Sequence, residues 1–360
     1  MAIDISQLNI FHKIKFMLHT GEQESRINHI KYWLPEFMKT NIEFCVLTRN
    51  EKVFKELSKE YKSVTILFAT APLDVEQVVN KIQTLASVFY TSNTGNNIHL
   101  LRFIEYKHIF IGSENSDRDS KITKFMRSYD EIWLSSDAVI DKIKTEIDIR
   151  DLKLIKIGKP QLKNILSQKR EKVDNGILYI PSDESTKEDN DFSSLKILPS
   201  IISKLGENNL KFDFFLNKNI GKRDKRFLTL EKEIVESAYQ QNIEAKFHSE
   251  LSDDLIVKNK YIICDITTFN NKLLASGSII LLYIPDDKII ENYTIDKYMS
   301  YDFIYTFSSV EELSIHFFNI KNGNDSMKKE REKGIEYWLG CSETKDSVFK
   351  IKLYEINNNI

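Results

Sequence analysis

The chain is short of the residues that mark several large functional classes. Its three cysteines, Cys45, Cys264 and Cys341, are far apart and odd in number, which argues against a disulfide framework or a cysteine zinc site and for a reducing compartment. Only 11 glycines occur in 360 residues. Neither G-x-G-x-x-G nor G-x-x-x-x-G-K-[ST] is present, so dinucleotide oxidoreductases and P-loop enzymes fit poorly. The seven histidines show no metal-ligand spacing, and neither a metal nor an organic cofactor is expected. The longest purely apolar run is 279–284, far short of the ~20 residues a membrane helix needs. No basic-then-apolar leader opens the chain, which carries Asp4 there instead. The net charge is −2, so no overall basic field exists to hold nucleic acid. A soluble cytoplasmic protein is expected, with peripheral docking at the inner face of the cytoplasmic membrane left open.

What is present is ordinary globular composition, 41% hydrophobic and 29% charged. The 360 residues exceed what one core holds, since cores stop growing near ~250–300 residues, and predict two domains. Short β-like runs at 13–18, 43–48, 64–68, 87–90, 108–111, 131–135 and 152–157 alternate with amphipathic stretches. In the first of these stretches Ile27, Ile30, Leu34, Phe37 and Met38 fall on one helical face. His29 is expected on that helix and His108 at the start of a buried strand, both structural. The pattern pauses at 158–161 and resumes with strands at 177–180, 210–215, 261–264 and 279–284 and helices at 193–205 and 222–241. A closing helix at 328–339 and the segment from Asp346 are expected to pack back across the linker. The spacing predicts an α/β protein of two parallel-sheet, Rossmann-like domains, 1–165 and 166–345, with a tail at 346–360 and a central cleft between the domains.

Open parallel sheets bind ligands at the carboxyl ends of their strands. Three strand-to-helix loops there carry polar chemistry. Residues 107–118 (KHIFIGSENSDR) lead from a buried strand toward a helix start, where free backbone N–H groups favour anions. Residues 215–224 (FLNKNIGKRD) cluster Lys218, Lys222 and Arg223, and Cys264 leads through Asp265 into Thr267 and Thr268. Hydroxyls and amides at such a turn suit a phosphate. A charged loop is usually only solvated and a Thr-Thr pair usually only a cap. Together the loops around Gly21, Ser113, Asn217 and Thr267 predict an anionic, phosphate-bearing ligand, with Arg118 and Gly158 lining the same opening.

The order and wording of these segments resemble the CDP-glycerol:poly(glycerophosphate) glycerophosphotransferase family. The resemblance rests on the Gly21 loop with Tyr32-Trp33-Leu34-Pro35, the HIFIG…SD segment with Tyr129-Asp130-Glu131-Ile132-Trp133, and Gly158-Lys159-Pro160-Gln161. Leu178-Tyr179-Ile180-Pro181, Gly221-Lys222-Arg223-Asp224, Asp265-Ile266-Thr267-Thr268 and a closing stretch from Arg331 to Gly340 extend it over nearly the whole chain. It implies a glycosyltransferase B scaffold. It also implies a nucleotide-activated donor such as CDP-glycerol, a polymer or lipid-linked acceptor, capsule-synthesis partner proteins and a role in teichoic-acid or capsule synthesis.

The departures from that family bear on chemistry. Where its first signature has His-Gly before Ser-Asp-Lys, this chain has Ser113 and Glu114 before Ser116, Asp117 and Arg118. Asn217, followed by Lys218, stands at the histidine of the second signature, while Asp265, Thr267 and Thr268 keep the chemistry of the third. A positioned base contributes ~10²–10⁴-fold in rate and an electrostatic donor ~10²–10³-fold. Ser113 lacks a base's proton affinity; Glu114 and Asp117 are the remaining candidates, and Glu114 would repel donor phosphates. Three readings stay open: a diverged transferase, a catalytically silent homologue that binds nucleotide, polymer or a partner enzyme, and a nucleotide-sugar transferase on the same scaffold.

Overall fold

The computed structural model describes residues 12–112, 122–167, 172–184, 192–206, 211–266, 268, 270–285, 303–340 and 348–358. The chain divides into two compact units, Met1–Gln161 with Gly340–Ile360, and Leu162–Leu339.

In the first unit β1 (Phe16–Thr20), β2 (Phe44–Thr48), β3 (Thr65–Phe68), β4 (Ser87–Tyr90), β5 (Lys107–Phe110), β6 (Glu131–Leu134) and β7 (Lys153–Lys156) form a sheet in the order β3-β2-β1-β4-β5-β6-β7. All of its pairings are parallel. Central strands β1, β2 and β4 are buried along their whole length, which is why they read as unbroken apolar runs rather than alternating ones. On one face α1 (Asn28–Lys31), α2 (Leu34–Met38) and α3 (Glu51–Glu60) bury Ile30, Leu34, Phe37, Val53 and Leu57 against Phe16, Leu18 and Val46. On the other, α4 (Pro72–Lys81), α5 (Ile98–Leu101) and α6 (Asp137–Glu146) bury Val75, Leu100 and Ile143 against Met17, Cys45, Leu47 and Tyr90.

The expected first helix is two short ones, because Pro35 restarts the helix at its first turn. Met38 is consequently 41% exposed rather than on the core face. The C-terminal helix Val348–Asn358 belongs to this unit, seating Phe349 with its ring 5.1 Å from Trp33 and 5.2 Å from Phe37.

The second unit repeats the plan. Strands β8 (Val173–Ile180), β9 (Lys211–Phe215), β10 (Glu244–His248), β11 (Asn259–Asp265), β12 (Ile279–Tyr283) and β13 (Tyr305–Phe307) run in the order β10-β9-β8-β11-β12-β13, all parallel. Here α7 (Lys163–Ser167), α8 (Leu198–Gly206), α9 (Leu230–Gln240), α10 (Asp253–Lys258), α11 (Asn271–Ala275), α12 (Val310–Lys321) and α13 (Lys328–Leu339) supply the helical layers. The helix expected over 222–241 starts only at Leu230, after a short turn capped by Asp224. Both sheets grow outward from a central pair, β1/β4 and β8/β11, and at each pair the chain order reverses. Such a reversal leaves a crevice at the strand ends.

Among the described residues no helix is long and apolar enough to cross a membrane.

Candidate functional site

The strand ends of the second unit gather the predicted phosphate-binding residues that the structure describes. β8 runs into Pro181-Ser182-Asp183-Glu184, and two carboxylates knit this loop to its neighbours. The Asp265 side chain at the end of β11 is fully buried. Its Oδ2 accepts from the Ser182 N–H at 2.6 Å, the Ser182 hydroxyl at 3.1 Å and the Ser194 N–H at 3.1 Å. Its Oδ1 has no partner among the described residues. Burial pushes its pKa up to about 6 against the opposing pull of these donors. Thr268 donates its hydroxyl to the Ile180 carbonyl at 2.7 Å and accepts from the Asp265 N–H at 3.0 Å.

Glu184 is the second tie, 3% exposed. Its carboxylate accepts the N–H of Gly221 at 3.0 Å, Arg223 at 2.9 Å and Asp224 at 3.0 Å. Gly221 has φ +83°, and a Cβ there would press on the Leu228 backbone, so glycine lets the loop curl its amides around one anion. Burial raises the Glu184 pKa, but the N–H groups of Asp224, Arg223 and Gly221 outweigh it and hold the carboxyl below its ordinary value. The amides that suit a phosphate are thus already filled by an internal carboxylate. What the loop turns outward is side-chain charge. Lys218 and Lys222 are exposed, and Arg223, also exposed, donates to the Glu184 carbonyl at 3.1 Å. Asn217 is exposed and stabilises the turn by accepting from the Asn219 N–H at 3.0 Å.

The structure therefore ties Arg223 and Asp265 to the loop after β8 and Thr268 to the end of β8 itself, and leaves Asn217 and Lys218 at the surface. One Asp265 oxygen and the Thr268 hydroxyl are committed to the protein's own groups. Ser113, Glu114, Asp117, Arg118 and Thr267 lie outside the described residues.

In the first unit Gly21 follows β1 at the chain reversal, and a Cβ there would collide with the Thr94 hydroxyl of the loop after β4. Gly158, with φ +71°, follows β7 in a recess lined by Trp33, Trp133, Ser135, Lys159 and Gln161. His108 is structural: its ring lies between the Tyr90 hydroxyl at 2.8 Å and the Phe103 carbonyl at 2.9 Å. No cluster of three or more metal-ligating side chains occurs among the described residues.

Sequence reasoning passed over Ser182, Glu184 and Ser194. The one signal was the polar run 182–184 that follows β8 directly, just past the Leu178-Tyr179-Ile180-Pro181 segment of the resemblance.

No protein-family model and no curated protein sequence matches the chain. Solved structures do match over its whole length. A glycosyltransferase from Rickettsia africae is 14% identical with a TM-score of 0.53, covering 97% of this chain and 100% of that one. The UDP-GlcNAc 2-epimerase from Neisseria meningitidis bound to UDP-GlcNAc is 10% identical with a TM-score of 0.57, covering 96% and 100%. A structure of the wall teichoic acid polymerase TagF with CDPG is 12% identical with a TM-score of 0.54, covering 97% and 89%. At such identities the likeness is one of fold. The two parallel-sheet α/β domains that the strand and helix spacing predicts match the glycosyltransferase B fold that the family resemblance implies.

Proposed function

We propose that the chain is a transferase acting on a nucleotide-activated donor, CDP-glycerol or a close relative, in the synthesis of a cell-surface polymer such as a capsule or teichoic-acid-like chain. The acceptor is a polymer or lipid-linked end, and the enzyme works at the membrane surface or with partner enzymes of the same pathway. The observation that carries this reading is the loop of β9, stiffened from below by Glu184 and presenting Lys218, Lys222 and Arg223 at the carboxyl edge of a parallel sheet. Cations held on a rigid loop there stabilise the charge that develops on a transferring or departing phosphate without reorganising during the step. The fold shared with a teichoic acid polymerase and with nucleotide-sugar enzymes supports the donor class.

Chemistry is slow in this reading, because Ser113 stands at the base position and Glu114 adds repulsion. The second reading, a silent homologue that binds without turnover, is favoured by those same residues and by Asn217.

Release of CMP from CDP-glycerol, and of UDP from UDP-GlcNAc, by the purified chain supplied with a polymer or lipid-linked acceptor to take the transferred group separates these readings. Slow CMP release that increases in the triple variant Ser113→His, Glu114→Gly, Asn217→His supports the transferase. Binding without release in either protein supports the silent homologue, and UDP release alone supports the sugar transferase. Rapid CMP release by the unaltered chain would assign the base to another group, with Asp117→Ala and Glu114→Ala as the variants that locate it.

A further inference from the structure

The carboxyl edge of the first sheet holds a different set of side chains, which the donor reading does not use. His19 of β1 shares the face of Met17, Cys45 and Leu47 that is covered by α4 and α5, and Arg49 continues the same alternation one residue beyond β2. His99 comes from α5, the helix packed on that face. Arg49 is 8% exposed. It donates to the Ala69 carbonyl at 2.6 Å and the Thr70 carbonyl at 2.5 Å, and lies 3.0 Å from Nδ1 of His99. Among the described residues no carboxylate pairs with it. The His19 ring is fully buried, and neither nitrogen makes a well-formed hydrogen bond among the described residues, although the Asn97 side chain lies near enough to favour its charged form; the Ser92 hydroxyl of the loop after β4 is likewise buried and without a partner.

Buried charges and buried polar atoms are normally paired. Three basic side chains from β1, from the end of β2 and from α5 have instead been gathered with no carboxylate in ion-pair contact; Asp74 of α4 acts on Arg49 only from farther away, its Oδ2 accepting from the Ala71 N–H and the Thr70 hydroxyl. Each terminal nitrogen of Arg49 keeps one N–H beyond the carbonyl or the histidine it already serves. With Nδ1 of His99 facing Arg49, the His99 Nε2 is left as a donor. The groups also depress one another: burial and then Arg49 push His19 down to about 3, and burial, Arg49 and Arg102 lower His99. An anion placed among them reverses that repulsion. A single carboxylate would be neutralised by Arg49 alone, whereas a dianion matches the guanidinium together with one protonated histidine.

We propose that Arg49, His99, His19 and Ser92 form a binding site for a phosphate dianion at the β1/β4 chain reversal. None of these residues belongs to the loop after β9. Two sources share this chemistry, free inorganic phosphate and the phosphorylated end of a larger molecule.

The full chain is titrated with inorganic phosphate, glycerol 3-phosphate and, as a carboxylate control, acetate, while histidine ring ¹⁵N resonances and thermal unfolding are followed. The site predicts saturable shifts of the His99 and His19 rings with both phosphates and not with acetate. Tighter binding of glycerol 3-phosphate assigns the site to a phosphorylated end, and tighter binding of inorganic phosphate to the free ion. His99→Ala, at the partly exposed rim, should weaken phosphate at least about tenfold while the protein remains folded, and Arg49→Gln should abolish the response. The absence of ring shifts in the unaltered chain at tens of millimolar phosphate, an equal response to acetate, or unchanged affinity in His99→Ala would overturn the proposal. Nucleotide release is measured separately, so failure of the transferase reading leaves this result intact.

Discussion

The two sheets share one topology and fasten their strand-end loops with opposite charges. In the first unit a cation does the work: Arg49, just after β2, takes the carbonyls of Ala69 and Thr70 in the loop after β3. In the second an anion does it: Glu184, just after β8, takes the N–H groups of Gly221, Arg223 and Asp224 in the loop after β9. The mechanical task is the same, tying a loop to its neighbour one strand away. The electrostatic residue differs. The first edge is left with basic groups and no carboxylate in ion-pair contact with them, and the second with carboxylates that take backbone amides and with cations facing outward. A shared fold therefore fixes where a site lies and leaves its charge to a few loop residues.

The largest expected effect is on the pH dependence of stability, where the two edges act against each other. His19 has a folded pKa of about 3 against 6.5, so the unfolded chain binds its proton first and stability rises with pH between those values. Asp265 has a folded pKa of about 6 against 3.8, so the folded chain binds the proton first and stability falls with pH over that window. Each contributes up to about 1.4 kcal/mol per pH unit. Relative to the unaltered chain, the change in unfolding free energy from pH 4 to pH 6 should be lower by about 2–3 kcal/mol in His19→Asn. It should be higher by a similar amount in Asp265→Asn, which keeps an acceptor for Ser182 and Ser194. Denaturant unfolding at both pH values checks this, and equal slopes in all three proteins would break the comparison.

Next in size is Glu184→Ala, which strands the buried N–H of Gly221 and the partly buried N–H groups of Arg223 and Asp224 and should cost about 2 kcal/mol in urea unfolding. Glu184→Gln keeps one acceptor oxygen and should cost about half of that. A loss below about 0.5 kcal/mol in the alanine variant would show that the carboxylate is not what holds the β9 loop. Gly21→Ala should cost about 1–2 kcal/mol through its collision with Thr94. That variant sharpens the comparison, because the first edge closes on a glycine and a hydroxyl where the second closes on a carboxylate.

Much of the fold was legible because parallel strands buried on both faces write themselves as apolar runs. The stretch at 279–284 is the plainest instance, and β12 occupies nearly all of it. Edge strands are not so written. β10, with Glu244 and Lys246 exposed, has only its partner β9 to declare it, and the three residues of β13 are too few to show a period. The break before Leu230 was hidden because Gly221 and Asp224 act through a cap and a positive φ rather than through hydrophobic pattern.

At the site, the cationic loop could be read directly, since Lys218, Lys222 and Arg223 are neighbours in sequence. The Glu184 tie could not, because it joins residues 37 positions apart and no local rule couples an acid to amides of another strand's loop. His19 and Arg49 were passed over for the same reason. Each is unremarked alone, and only the strand register brings them to one edge.

The smallest stability effects belong to the outward cations. Lys218→Ala and Lys222→Ala should each change stability by less than about 0.5 kcal/mol, since both side chains are exposed and the one hydrogen bond of Lys222, to the Asn219 side chain at 2.7 Å, is itself at the surface. Their effect should appear in ligand response, and that response tests the central claim most directly. Thermal unfolding of the unaltered chain is measured with CDP-glycerol. A ligand at ~15-fold excess over its Kd that binds only the folded state adds about 1.6 kcal/mol, a rise of a few degrees. The account predicts that rise in the unaltered chain and its loss in the Lys218→Ala, Arg223→Ala double variant. No rise with millimolar nucleotide, or an undiminished rise in the double variant, would contradict a donor site on the β9 loop.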